Sequence, residues 1–443
     1  MALSLSARPP PIANWPSSST PKPRAEHCLM TILAITDLTS LPEALSPTTP
    51  IAGLSLVDRI ARMCLVSGVD TCIFLTAPST APIVDDAITA ATRARGEVRA
   101  IAPETLPAAI DDLHPEAVLV LPANRVFQRA VIQDALKVAV GPGSSPRPDL
   151  APHQVLSLRA PEPDALLQAL ARPSATPSDA DAHTPAGWSV ALRSLSDVAR
   201  AEARLFNDCR KPQDGIVSRH LNRHLSLAMS RRLVGTWVGP NHISAITLSL
   251  GFAAAIAAGF GGYTGFLIAG VLYQLNSVID GVDGELARVR YEFSVLGEWL
   301  DTVSDDLSDL LLYLGLGVGA WRTMATGLGP LGPEIWLYLG LAAAGGKLAS
   351  MVVYYRWLIA RGRGDLLAFE WSFKDQGTPQ SPLKRALSVL HYAFRKDFIV
   401  FVAMILAFIG TLPYLLVALA PGNVIVALSV VLQQLRGPGT GRD

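Results

Sequence analysis

Long apolar stretches dominate the chain after Val234, and they constrain its fold more than any other feature. Six such stretches can be drawn, and most approach the roughly 20 residues that an α-helix needs to cross a bilayer. They cover Trp237–Phe260, Tyr263–Val289, Gly297–Trp321, Ile335–Ile359, Phe398–Thr411 and Leu412–Leu432. The residues before Val234 are mixed in character. The sequence therefore predicts a soluble N-terminal part and a C-terminal all-α domain of six transmembrane helices.

Four aspartates lie where the second apolar stretch ends and the third begins. Asp280 and Asp283 are three residues apart, and Asp301 and Asp305 are four apart. Residues at these spacings share one face of a helix, so two helices that meet at a turn would bring the four carboxylates together. Carboxylates without nearby His or Cys favour hard cations, and we predict a Mg²⁺ (or Mn²⁺) site. The alternative is an acidic loop that arose by chance.

Small and basic residues accompany these acids. Gly284 and Ala287 remove side-chain bulk from the second helix, so that a nucleotide could lie close to its backbone. Arg288 follows and is suited to phosphate. Gly297 relieves crowding where the third stretch begins. Small residues alone are common at helix contacts in membranes. Their combination with four acids and an arginine instead favours a site for a metal-bound diphosphate.

The pattern D-x2-D-G-x2-A-R-x8-G-x3-D-x3-D, from Asp280 to Asp305, resembles that of the CDP-alcohol phosphotransferase family. The resemblance covers roughly Lys211 to Leu432. It implies a membrane transferase that moves a substituted phosphate from a CDP-alcohol to an acceptor hydroxyl and releases CMP, in phospholipid or phosphodiester biosynthesis. Carried over by position, the metal ligands are Asp280, Asp283, Asp301 and Asp305, and the CDP-binding residues are Asp280, Gly284, Ala287 and Arg288. Asp305 would also be the catalytic general base.

The acceptor site is less defined by sequence. A phosphorylated acceptor needs cations, and Lys347 lies inside the fourth apolar stretch, where a charge requires a reason. The other candidate acceptor-binding residues are Arg356, Arg395 and Lys396. Each could instead be a structural or solvated cation. The acceptor could be a polar alcohol such as an inositol phosphate, or a lipid alcohol.

A basic amphipathic segment precedes the first apolar stretch. Apolar residues recur every four positions from Val217 to Leu233, with arginines between them. We predict a juxtamembrane helix on the membrane surface, with an ordinary surface helix as the alternative. Basic residues of this segment and of the loop 360–396 place both on the cytoplasmic side of the inner membrane. The soluble domain and the acid cluster would then face the cytoplasm.

The region from Met30 to about Val140 alternates short apolar runs with helical patterns, which is typical of an α/β domain with a mainly parallel sheet. Its fusion to this membrane domain resembles the bifunctional inositol-1-phosphate cytidylyltransferase/di-myo-inositol-phosphate-phosphate synthase proteins. A-V-L-V-L-P-A-N-R-V-F resembles the metal-binding strand of sugar nucleotidyltransferases. However, I-L-A-I-T-D-L-T-S-L-P lacks a Gly-rich phosphate loop, and Asn124 replaces the expected Asp. We interpret the domain as a degenerate nucleotidyltransferase; an active, bifunctional protein is the alternative.

The expected domains are 1–29 (disordered, without a signal peptide, and with Met30 as the expected start), 30–150 (α/β), 151–210 (linker and closing segment), 211–235 (juxtamembrane helix) and 236–436 (transmembrane). Zero formal charge gives no sign of a nucleic-acid partner, and the four cysteines form no metal or disulfide pattern. A homodimer through the transmembrane helices is a further expectation. The competing functions are a non-catalytic membrane scaffold and a transporter. The intact acid motif argues against a scaffold. The other apolar stretches carry no acid near their midpoints, which argues against a transporter.

Overall fold

The computed structural model describes residues 31–141, 153–159, 181–211, 214–361 and 395–435. The predicted disordered segment 1–29 and the basic residues of the loop 362–394 lie outside the described residues.

A five-stranded sheet forms the centre of the N-terminal α/β domain. In chain order the strands are β1 (Ile32–Asp37), β2 (Pro50–Ile51), β3 (Leu54–Ser55), β4 (Thr71–Leu75), β5 (Glu97–Ile101), β6 (Ala117–Pro122), β7 (Arg125–Phe127), β8 (Leu156–Arg159), β9 (Ala182–Thr184) and β10 (Gly187–Ala191). The sheet order is β5-β4-β1-β6-β8, with β8 alone antiparallel. A small antiparallel sheet, β7-β10-β9, lies beside it. The α/β architecture predicted from the alternation is confirmed.

Helices pack against this sheet and continue towards the membrane. They are α1 (Leu56–Ser67), α2 (Ala81–Ala87), α3 (Ala90–Arg93), α4 (Leu106–Leu113), α5 (Arg129–Val140), α6 (Leu195–Asn207) and α7 (Arg223–Leu233). Helices α2 and α3 are separate, because Ile88 between them adopts an extended conformation. The residues from Arg125 to Phe127 pair with β10, so α5 begins only at Arg129.

Six long helices make up the described C-terminal domain. They are α8 (Pro240–Phe260), α9 (Gly262–Arg290), α10 (Val295–Thr323), α11 (Glu334–Arg361), α12 (Lys396–Phe408) and α13 (Leu415–Leu435). By length and composition, four spans could cross a membrane: Pro240–Phe260, Gly262–Arg290, Glu334–Ala360 and Leu412–Leu432. This supports a membrane protein but falls short of the predicted six spans. The amino-terminal half of α10 carries too many acids, and the described part of α12 has only 13 residues.

Small residues allow the membrane helices to approach closely. A Cβ added to Gly251 of α8 would lie 2.0 Å from Ser308 Oγ of α10. Gly317 and Gly340 face each other between α10 and α11, where a Cβ on either would meet the partner's Cα within 3 Å. Such contacts are a common means of packing helices in lipid, where no hydrophobic effect drives association. They fix the position of α10, which carries half of the acid cluster.

The juxtamembrane segment is helical, and two residues of its apolar stripe face outward, whereas Met229 and Leu233 pack against the core. Leu221 and Leu225 are 37% and 49% exposed. The opposite face is polar and buried against α9, and it includes Arg223, Ser226 and Ser230. Exposed apolar residues beside a membrane domain agree with a helix that lies at the bilayer surface. Arg223, one of the arginines between the apolar residues, is therefore buried within the protein.

Candidate metal and nucleotide site

A short turn joins the two helices that carry the acids. Helix α9 ends at Tyr291, whose φ of 55° places it in the left-handed region. Helix α10 starts after Ser294, whose hydroxyl accepts a hydrogen bond from the N–H of Gly297 at 2.9 Å. This is the N-cap that the sequence S-V-L-G encodes. The two helices therefore leave the turn with their predicted acidic faces directed towards one cavity.

Three of the four predicted ligands form a compact carboxylate group. One oxygen from each of Asp280, Asp283 and Asp301 lies within 4.8 Å of the others. Ser244 Oγ donates to Asp283 at 3.0 Å, and the N–H of Gly284 also donates to this carboxylate. Three like charges so close together repel one another unless a cation lies between them. All are oxygen donors, so the donor set fits Mg²⁺ or Mn²⁺.

Asp305 lines the same cavity but has a different partner. Its carboxylate lies 2.9 Å from the ammonium of Lys396, at the start of α12. An ammonium and a carboxylate at this distance form an ion pair with a charge-assisted hydrogen bond. The geometry thus separates Asp305 from the other three predicted ligands.

The predicted CDP-binding residues line the cavity beside the carboxylates. Gly284, Ala287 and Arg288 all contribute to its wall, and the cavity has a volume of about 600 Å³. The Arg288 guanidinium extends back over Gly284, where an added Cβ would lie 3.1 Å from Nη1. Arg288 Nε is buried without a hydrogen-bond partner among the described residues. An unsatisfied buried donor beside a carboxylate group that can bind a cation fits a diphosphate ligand.

A second polar cluster lies deeper in the same cavity. Lys347 of α11 contacts Asp306 at 2.8 Å and Asp309 at 3.2 Å. Tyr273 donates to Asp309 at 2.7 Å, and Lys396 lies 3.5 Å from the same residue. Tyr354 and Tyr355 both donate to Asp306. Lys347 is thus compensated by two carboxylates that the sequence interpretation did not use.

The other predicted acceptor residues lie in different places. Lys396 and Arg395 line a neighbouring cavity of about 350 Å³, which shares Asp280 and Asp305 with the first. Arg356 is exposed on α11 and lines neither of these two cavities. The structure therefore brings Lys347, Lys396 and Arg395 towards the acid cluster, but not Arg356.

Comparison with known proteins identifies this domain. Residues 237–432 match the family model described as CDP-alcohol phosphatidyltransferase. The match includes both acid-bearing helices, the turn between them and Lys347. The C-terminal half of the chain contains a CDP-alcohol phosphatidyltransferase domain. The resemblance inferred from the D-x2-D-G motif is confirmed.

Several curated proteins are similar in sequence to part of this chain. A "Bifunctional IPC transferase and DIPP synthase" of Thermococcus kodakarensis is 36% identical over 145 residues, which are 31% of this chain and 32% of that protein. The protein of the same name from Rubrobacter xylanophilus is 33% identical over 167 residues, 38% and 35% of the two chains. An "Archaetidylinositol phosphate synthase" of Methanothermobacter thermautotrophicus is 39% identical over 84 residues, 19% and 43%. The matched segments span about a third of the fused relatives.

Residues that the sequence interpretation missed hold the motif of the phosphatidyltransferase domain in place. Glu285, fully buried within the motif, accepts hydrogen bonds from Arg223 Nη1 at 2.8 Å and from Ser226 and Ser230 at 2.6 Å each. Arg223 also pairs with Asp214 at 2.9 Å. A signal was available: Arg223, Ser226 and Ser230 recur at helical spacing, on the face opposite the apolar stripe.

Proposed function

We propose that this chain is an integral membrane transferase that moves a substituted phosphate from a CDP-alcohol to an acceptor hydroxyl and releases CMP. The observation that carries this proposal is the carboxylate group of Asp280, Asp283 and Asp301 beside Arg288, with its unsatisfied buried donor. A site that can hold both a divalent cation and a diphosphate is what this transfer requires. The family match of residues 237–432 supports the same reaction.

Different residues of the site would bind the metal, bind the CDP moiety and accept the proton. Asp280, Asp283 and Asp301 would hold Mg²⁺ or Mn²⁺, with Asp305 as a shared ligand. The bound metal would neutralise charge on the diphosphate. Asp280, Gly284, Ala287 and Arg288 would bind the CDP moiety. Asp305 would accept the proton of the acceptor hydroxyl, whose oxygen forms a bond to the phosphorus that bears the donor's alcohol. The bond from that phosphorus to the CMP oxygen breaks, and CMP leaves.

The acceptor would enter from the side of the lysines. Lys347 and Lys396 both contact Asp309, and Arg395 lines the neighbouring cavity together with Lys396. Cations buried at membrane depth are costly unless they serve a ligand or a fixed ion pair. We therefore place the acceptor between Lys347 and Lys396. Arg356 has no support from the geometry for this role.

The site would face the cytoplasm, where cytidine nucleotides are available. The basic residues of the juxtamembrane segment and of the 360–396 loop support this orientation, together with an inner-membrane location. The exposed Leu221 and Leu225 of the juxtamembrane segment agree with a position at the bilayer surface. A homodimer through the transmembrane helices stays a prediction.

A reconstitution assay tests the function. The purified full chain in lipid nanodiscs would receive labelled CDP-diacylglycerol or a CDP-polyol, Mg²⁺, and either an inositol phosphate or an unphosphorylated alcohol. We expect CMP release that needs both a donor and an acceptor, and a product whose mass equals the donor's substituted phosphate joined to the acceptor. CMP release without acceptor would indicate hydrolysis instead. No CMP with any donor would contradict the proposal and favour a non-catalytic scaffold.

A further inference from the structure

The turn between the two acid-bearing helices is held by the α/β domain. Three of its residues, Glu292, Phe293 and Ser294, line the main cavity. The turn opens with Tyr291 in the left-handed conformation, which is unfavourable for a bulky residue and persists only where its surroundings enforce it.

Two buried arginines of α1 bind the carboxyl end of α9. Arg59 Nη1 donates to the carbonyl of Val289 at 3.0 Å, and its guanidinium lies 5.8 Å from the centre of the Tyr291 ring. Arg62 Nη1 donates to the carbonyl of Arg290 at 3.2 Å. The last carbonyls of a helix lack partners within it and carry partial negative charge. The α/β domain therefore supplies hydrogen-bond donors for two carbonyls at the end of α9.

Contacts continue beyond the helix end into the turn. Arg62 pairs with Glu292 at 3.3 Å. Arg95 Nη2 donates to the carbonyl of Phe293 at 3.3 Å, and the Arg129 guanidinium lies 5.5 Å from the centre of the Phe293 ring. Each residue from Val289 to Phe293 is thus contacted by an arginine of the α/β domain.

The α/β domain itself fixes Arg62 before it reaches the turn. Its Nε lies 3.1 Å from Asp58 and 2.9 Å from Thr92 Oγ1, and its Nη2 donates to Thr89 at 2.8 Å. A guanidinium held by its neighbours in this way loses little entropy when it binds the turn.

We propose that the α/β domain acts as a positioning device for the transferase site, through an arginine clamp formed by Arg59, Arg62 and Arg95. The clamp fixes the turn, and the turn sets Asp280 and Asp283 on one helix against Asp301 and Asp305 on the other. Small displacements of reacting groups cost large factors in rate, so the clamp controls turnover without touching substrate. This inference builds on the proposed function and gives the α/β domain a role that does not depend on nucleotidyltransferase activity.

Hydrogen exchange and kinetics on the full chain in nanodiscs test the clamp. Arg95→Ala removes only an exposed side chain and its bond to the turn, whereas Arg62→Ala removes the central contact. Arg93→Ala is the matched control, because Arg93 is an exposed arginine two residues before Arg95 and pairs with Asp85 inside the α/β domain. We expect the amides of residues 291–297 to exchange about fivefold faster in Arg95→Ala, more in Arg62→Ala, and at the wild-type rate in Arg93→Ala.

The kinetic readout separates positioning from folding. In Arg95→Ala we expect a lower kcat at an unchanged melting temperature, and in Arg62→Lys partial recovery of the kcat lost in Arg62→Ala. Should Arg62→Ala fail to fold, Arg95→Ala and Arg59→Lys decide the question. Wild-type exchange at residues 291–297 in the variants that fold would overturn the clamp. Inactive wild-type protein would refute the proposed function, and the exchange data would still judge the clamp.

Discussion

At the scale of single residues, the carboxylates carry the chemistry and can be tested one at a time. Asp283→Asn weakens the three-carboxylate group, and Asp305→Asn removes the proposed base without changing its size. Each should lower CMP release by at least about 100-fold, the usual contribution of a general base, and EDTA should stop the wild-type enzyme. Glu334→Gln is the control and should keep full activity, because Glu334 lies at the start of α11 and lines neither cavity. Near-native turnover in Asp283→Asn or Asp305→Asn would refute their assignment.

Lys347 has two roles to distinguish, because it is paired with Asp306 and Asp309. Lys347→Ala leaves the buried Asp306 without its cation and Asp309 with Lys396 alone. Removing one partner of a buried ion pair typically costs about 3–5 kcal/mol of stability. If Lys347 also holds the acceptor, the KM for the acceptor should rise more than the KM for the CDP-alcohol. Lys347→Ala combined with Asp306→Asn relieves much of the charge imbalance. Recovery of stability with a persistently high acceptor KM would assign binding, and recovery of both would assign a structural ion pair.

At the scale of the element, the juxtamembrane helix is anchored by Arg223 between Asp214 and Glu285. Burial opposes the charge of Asp214, but hydrogen bonds from Arg223 and from the backbone of Lys211 outweigh it and hold the pKa of Asp214 below its ordinary value. Burial also opposes the charge of Arg223, yet these ion pairs raise the pKa of its guanidinium. The anchor is therefore charged throughout the physiological range.

The direction of these shifts predicts how the anchor responds to pH. Because the folded pKa of Asp214 is depressed, its stabilisation is complete above the ordinary aspartate pKa of about 3.9 and is lost as the pH falls through the folded value. Asp214→Asn should therefore lower the melting temperature by a constant amount between about pH 5 and 8, and the difference should shrink below about pH 4. Thermal unfolding across this range measures it. Asp112→Asn, at an exposed position, is the control, and a difference that grows on acidification would contradict the assignment.

The element scale also explains which parts of the site the sequence could predict. The shared faces of Asp280 and Asp283, and of Asp301 and Asp305, could be predicted because helical spacing is local, as is the cap of α10 by Ser294. The conformation of the turn at Tyr291 could not, because arginines of the α/β domain contact it. Glu285 could not be interpreted in this way, because its partners lie about 60 residues earlier on another helix. The pairing of Lys347 likewise depends on how α10 packs against α11. Local periodicity carries no information on such contacts.

At the scale of the whole molecule, the α/β domain is joined to the membrane domain through backbone as well as side chains. A Cβ on Gly53, whose φ is +81°, would lie 1.9 Å from the carbonyl oxygen of Val234, so the hairpin of β2 and β3 lies directly against the end of α7. Arg290 of α9 donates to the carbonyls of Leu233, Val234, Thr236 and Val238. Both domains and the juxtamembrane helix thus meet where the acid-bearing helices turn. No sequence pattern predicted this junction, since its partners are backbone atoms distant along the chain.

The edge of the main sheet after β1 and β6 is where an activity of the α/β domain itself would be located. Strands β1 and β6 are parallel neighbours, so the segments after Asp37 and Pro122 meet at one edge of the sheet. There the Asp37 carboxylate accepts hydrogen bonds from Thr39, within a tight turn instead of a Gly-rich loop. The backbone carbonyl of Asn124 accepts a hydrogen bond from the N–H of Leu192. We expect the full chain to release no pyrophosphate from CTP, Mg²⁺ and a phosphorylated alcohol, because this edge lacks both the phosphate-binding glycines and a carboxylate at position 124. Pyrophosphate release by this chain would establish a bifunctional enzyme, whereas its absence alongside CMP release would leave the α/β domain with the clamp as its remaining role.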